Sequence, residues 1–169
     1  DYIENSKNVQ WAFNTINTED SKYIVFGANT IRDSYDLAFN GILESCYEVM
    51  DVGGGSYAVT CTLGQSAGSH IAYCIRGKNN ADLFGCVGLE NKRYCILNRQ
   101  YSKEEYEMLV MKIIEHMNSM PYIDTAGRVY TYGEFFPIEL SPFAYNETYA
   151  YEEFPMSKEE ILQRGYAWR

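Results

Sequence analysis

Apolar and polar positions along the first part of the chain recur in short bursts, each starting from a small anchor residue. The bursts are SKNVQWAFN from Ser6, SKYIVFGAN from Ser21, SYDLAFNGI from Ser34, SCYEVMDVG from Ser45, SYAVTCTLG from Ser56, SHIAYCIRG from Ser69 and ADLFGCVGL from Ala81. Successive anchors lie 15, 13, 11, 11, 13 and 12 residues apart. Five positions after each stand Trp11, Phe26, Phe39, Met50, Cys61, Cys74 and Cys86, a column with no polar member that is expected to face inward. Three positions after the anchors come Val9, Ile24, Leu37, Glu48, Val59, Ala72 and Phe84, apolar except for Glu48. Spacing by two is the period of a strand with one buried face. Asn29, Asn40, Gly53, Gly64 and Gly77 supply the turns that close the segments.

Short strands at a near-constant step, with like residues stacked in columns, predict a mainly β fold, a parallel β-solenoid over residues 1–100. An antiparallel β-sandwich with C-terminal helices spaces its strands similarly. It gives equal offsets from a turn no reason to share chemistry, because alternate strands run in opposite directions. Either one segment or two, about 25 residues, would make a coil.

Residues 101–169 read as a cap. Ser102-Lys103-Glu104-Glu105 is a capping box opening a helix. Leu109, Ile113 and Met117 carry its stripe, widened by Tyr106, Val110 and Ile114, to an end near Asn118 before Pro121. His116 suits the negative end of its dipole. A second box, Ser157-Lys158-Glu159-Glu160, opens a short helix that stops at Gly165. Between them an aromatic, proline-bearing segment, "YGEFFPIELSPFAYNETYAYEEFP", is too apolar for a free linker and reads as an extended strap.

Composition narrows the function classes. A formal charge of −9 and a pI near 4.7 disfavour nucleic acid and anionic membrane surfaces. No apolar run reaches the roughly 20 residues needed to cross a bilayer. Sixteen tyrosines and 13 glycines beside 4 prolines suit β structure with tight turns. The five cysteines form no C-x-x-C pair, so reduced thiols and a cytoplasmic location are expected. Free cysteine packs as a small hydrophobe, and the column places Cys61, Cys74 and Cys86 in the core, with Cys95 just past the last secure repeat.

The stretches "LFGCVGLENKRYCILNRQYSKEEYEMLVMKIIEHM" and "YGEFFPIELSPFAYNETYAYEEFPMSKEEILQRGYAWR" resemble a family of uncharacterised bacterial proteins abundant in small-genome candidate-phylum lineages. The resemblance covers essentially the whole chain and is most specific over residues 83–116 and 132–168. It implies Asn/Cys/Tyr-rich repeats and, in longer members, cysteine-pair zinc-ribbon segments outside the matching region. It names no activity and carries no zinc ligand onto this chain, and it implies that these residues are one piece of a longer polypeptide.

No Ser-His-Asp set, phosphate loop, dinucleotide fingerprint or H-E-x-x-H motif is written in the chain, and no catalytic, cofactor or metal residue is assigned. The leading expectation is a non-catalytic solenoid serving as a scaffold or protein-interaction module, with a protein partner or self-association. Phe135, Phe136, Phe143 and Tyr145 are its candidate partner surface. A carbohydrate-binding or carbohydrate-active β-helix is an alternative, with Glu44, Glu48, Asp51, Arg76 and Lys78 as its candidate polar site. There Glu48, if buried, would have the raised pKa of a general acid. A third alternative is part of a nucleic-acid accessory protein whose zinc ribbons lie outside this region.

Overall fold

The computed structural model describes residues 3–27 and 29–169. It is mainly β, a β-solenoid of about eight turns followed by a C-terminal helix. Parallel strands stack in register. Ala12 lies opposite Ile24, Ile24 opposite Leu37, Leu37 opposite Val49 and Val49 opposite Thr62. Farther on, Leu63 lies opposite Ile75 and Ile75 opposite Val87. A coil therefore takes 12 or 13 residues, one segment rather than two, and the parallel pairing excludes the sandwich.

Within a coil the inward residues are three apart, or four where a coil holds 13 residues. Ala12, Thr15, Thr18 and Ser21 point into the first complete coil, Ile24, Gly27, Ile31 and Ser34 into the next, and Leu37, Asn40, Leu43 and Cys46 into the third. The residue before an inward position typically has a left-handed backbone, as at Trp11 (φ 54°), Asn14 (φ 50°), Asn17 (φ 54°) and Asp20 (φ 47°). One left-handed residue every third position turns the strand through a corner, so a coil is four short walls around four inward side chains. That conformation costs most L-residues about 1–2 kcal/mol, and Asn and Asp least after glycine. This is the physical reason for the Asn and Asp at corners 8, 14, 17, 20, 29, 33, 36, 51, 79, 82 and 91.

Four residues per coil leave a narrow interior. Ile24, Ile31, Leu43, Val59, Ile71 and Leu83 fill it completely. At Gly27 an added Cβ would meet Ile31 Cδ1 at 2.7 Å and Ile24 Cγ2 at 2.8 Å, so the branched neighbours already occupy the space.

The narrow core corrects the expected inward column. Trp11 is 74% exposed, Phe26 38%, Phe39 50% and Met50 40%. Only Cys74 and Cys86 of that column point inward, while Cys61 is buried at a corner. An offset counted in twos from unevenly spaced anchors crosses from one column to another when the true period is three. Large rings also do not fit inside a four-residue turn. The second expected column fares better, because Ile24, Leu37 and Val59 are inward and buried. Glu48 is a partly buried corner residue.

Both capping boxes form. The Ser102 amide donates to Glu105 Oε2 at 3.0 Å and the Glu105 amide to Ser102 Oγ at 3.2 Å, opening α1 (Lys103–Ser119). Within this helix Tyr106 is buried, its ring 5.9 Å from that of Tyr94 in the last coil. The short helices α2 (Tyr149–Glu153) and α3 (Lys158–Gln163) follow, the latter capped by Ser157 and Glu160 and ended by Gly165 at φ 73°.

The chain forms two compact units, Asp1–Ile113 and Ile114–Arg169. In the second, a hairpin pairs Tyr122–Ile123 with Val129–Tyr130 around the buried Asp124. Its carboxylate accepts from the Ala126 and Arg128 amides, from Arg128 Nε at 2.7 Å and from the Tyr130 hydroxyl. Burial alone would raise its pKa, but the Arg128 and Tyr130 donors outweigh it and hold the carboxyl below its usual range. The aromatic strap carries short helical elements of its own, and its Tyr145 ring stacks on Tyr166 beyond α3.

Candidate functional site

Cys74 and Cys86 belong to a hydrogen-bonded ladder inside the solenoid. At several corners an amide points inward, and where the inward side chain of the preceding coil is polar it accepts from that amide. The Ser21 hydroxyl donates to the Glu19 carbonyl at 2.7 Å and accepts from the Ser34 amide at 3.1 Å. Ser34 repeats this with Arg32 and the Cys46 amide, and Thr62 with Thr60 and the Cys74 amide. Cys74 then donates to Ala72 and accepts from the Cys86 amide at 3.3 Å, and Cys86 donates to Phe84 and accepts from the Asn98 amide. A thiol occupies the place of a hydroxyl and does the same work. Asn40 and Asn80 serve the next corners, each accepting an amide at 3.0 Å, from Val52 and Lys92.

All five cysteines are free and buried. Burial pushes the Cys46 and Cys95 thiols up, and the hydrogen bond with Cys86 followed by burial pushes Cys74 up. The same hydrogen bond with Cys74 lowers Cys86 to about 7, but its thiol is enclosed in the core like the others, and an enclosed thiol is out of reach of a reagent. Among the described residues no group of three or more His, Cys, Asp or Glu side chains converges to hold a metal ion. Thiol titration of the native protein should show reaction at least about 100-fold slower than after unfolding in urea, where five thiols respond. A fast-reacting native thiol would place a cysteine outside the core.

The structure does not gather the expected polar residues. Glu44 lies on a wall between Arg32 and Tyr57 in register, and Lys78 lies on another between Ser66 and Glu90. Glu48 holds a corner, one coil from Asp36, and accepts from the Cys61 thiol at 3.8 Å. Asp51 and Arg76 share the next corner column with Gly64 between them. They therefore occupy two walls and two corner columns.

In the second unit the expected partner residues divide. Phe135 and Phe136 meet edge to face at 5.1 Å. Tyr145 is structural, because its ring stacks on Tyr166 at 5.3 Å and its hydroxyl donates to the Phe154 carbonyl at 2.9 Å. Phe143 is exposed and lines a recess of about 550 Å³ with Ile138, Glu139 and Tyr166.

What the sequence columns missed lies outside the solenoid. The wall that follows Ala12 in each coil presents Phe13, Val25, Ala38, Met50, Leu63, Ile75 and Val87, every one apolar. Phe13, Met50 and Val87 are exposed and the other four half-buried. Phe26 and Phe39 extend this face at its corner, their rings stacked at 5.3 Å and 17°. The wall two corners farther round carries Glu19, Arg32 and Glu44 in register, with Arg32 Nε 3.7 Å from Glu19. The solenoid is thus apolar on one side and charged across the core.

Family models, curated proteins and solved structures offer no match to this chain. Among the described residues no helix is long and apolar enough to cross a membrane.

Proposed function

We propose that this chain is a non-catalytic β-solenoid interaction module that presents its apolar wall to a protein partner, in a bacterial cytoplasm. The observation that carries the reading is the unbroken outward column from Phe13 to Val87. Isolated exposed apolar residues are ordinary, but a contiguous strip on a flat, rigid sheet marks a contact surface. The charged wall across the core keeps the module dissolved while the apolar one is engaged. Five unpaired cysteines fit a reducing compartment. The ladder gives the thiols and hydroxyls that a catalytic reading would use a structural employment instead.

The test places a photo-crosslinking phenylalanine at Ala38 on the apolar wall or at Glu44 on the charged wall of the full chain in expressing cells. Illumination should give protein adducts, to a second copy or another protein, from position 38 and far fewer from position 44. Equal yields from both positions, or none from 38, would contradict the reading.

A further inference from the structure

We infer that the partner of the apolar wall is a second copy of this chain, packed face to face with its coils in reverse order. The inference rests on the interaction-module reading and adds the identity of the partner.

Two arrangements bring the same wall together by two-fold symmetry. With the axis along the stack, coils pair with themselves and the two corner columns of the wall exchange, so that Glu48 of one copy meets Asp51 of the other, two carboxylates. With the axis across the stack, each column faces itself and the coil order reverses. Centred on the coil of Thr62, this second arrangement sets Met50 opposite Ile75 and Ala38 opposite Val87, and Leu63 meets its own equivalent.

The corner column beside this wall is complementary in the same register. It runs Phe39, Asp51, Gly64, Arg76, Gly88. Reversal about Gly64 puts Asp51 opposite Arg76 twice, and Phe39 opposite Gly88, where a Cβ would meet nothing within 4 Å. Gly64 faces itself on the axis, the one place where the two copies would otherwise crowd. Opposite charges pair and each aromatic ring faces an open glycine, so charge and shape agree on one register.

The size of the strip sets the strength. In this register five coils pair, from Ala38 to Val87, and at about 4.8 Å per coil they give a strip about 20 Å long. With aromatic side chains of about 150–250 Å² each and only partly exposed, it falls short of the roughly 800 Å² per partner of a standard interface. A reversible dimer follows, with a dissociation constant on the order of 1–100 µM.

Sedimentation equilibrium of the full chain across this range should show a monomer–dimer equilibrium. Leu63→Lys puts two ammonium groups against each other on the axis and should weaken it at least about tenfold, with the far-UV spectrum unchanged. Asp51→Arg and Arg76→Asp should each weaken it, and the double exchange should restore it. Both side chains are exposed at left-handed corners, and an unchanged far-UV spectrum of each variant separates lost association from lost folding. A monomer at all concentrations, a dimer indifferent to Leu63→Lys, or a double exchange as weak as the singles would overturn the inference. Adducts from position 38 to a different protein would then leave the interaction module standing with another partner.

Discussion

Leu37→Ala lowers the stability of the solenoid by about 2–5 kcal/mol, whereas Trp11→Ala, which removes a far larger side chain, lowers it by less than about 1 kcal/mol. Leu37 is 2% exposed and sits in the inward column between Ile24 and Val49. Coils stacked at fixed spacing cannot close over the void, so both the transfer and the cavity contributions are lost in full. Trp11 is outward and 74% exposed, and a large ring there holds a left-handed corner at φ 54°. Its removal exposes little and changes the corner strain slightly. Urea denaturation of the two variants and the parent, followed by circular dichroism, decides the order. The reverse order would mean that Trp11 faces the core.

The architecture was legible because parallel stacking puts chemically similar residues at similar intervals, and even a misjudged interval preserves that likeness. Both capping boxes were legible because they are local, two side chains and two amides within four residues. The inward assignment of Trp11, Phe26, Phe39 and Met50 was not, because hydrophobicity alone does not say which side of a wall a residue occupies. The deciding signal is the left-handed corner every third residue, written as a scatter of Asn, Asp and Gly rather than as one motif. The 13-residue coils hid it further, with an extra residue between Gly27 and Ile31 and another between Val52 and Ser56. The apolar wall could have been found from residues 12 or 13 apart, Phe13 to Val25 to Ala38 to Met50, once that step was known. The polar candidates failed to converge for the same reason: nearness along the chain in a solenoid places residues on different walls, and nearness in space follows the column.

The cysteines show how a core can mimic a site. Several thiols in one region suggest metal or redox chemistry, yet Cys74 and Cys86 here take the place of a serine or threonine in the amide ladder, and Cys46, Cys61 and Cys95 are buried donors. Not every inward polar atom is so employed, since Thr15 Oγ1, Thr18 Oγ1 and Gln65 Oε1 are buried without a partner among the described residues.

A 12-residue turn with an inward residue at every third position specifies this fold, and removal of one whole coil puts that to the test. Deleting residues 63–74 joins Thr62 to Ile75, which already occupies the register position of Leu63 one coil later. Every later residue keeps its wall, and nearest-neighbour stacking predicts a shorter solenoid that folds cooperatively with a modest loss of stability. Deleting residues 63–73 instead shifts the remainder by one place. Arg76, Asn79 and Asp82 become the inward residues, and burying unpaired charges in an interior this narrow costs several kcal/mol each. The 12-residue deletion should retain the β spectrum and a cooperative urea transition, while the 11-residue deletion should lose both. Two deletions behaving alike would contradict this.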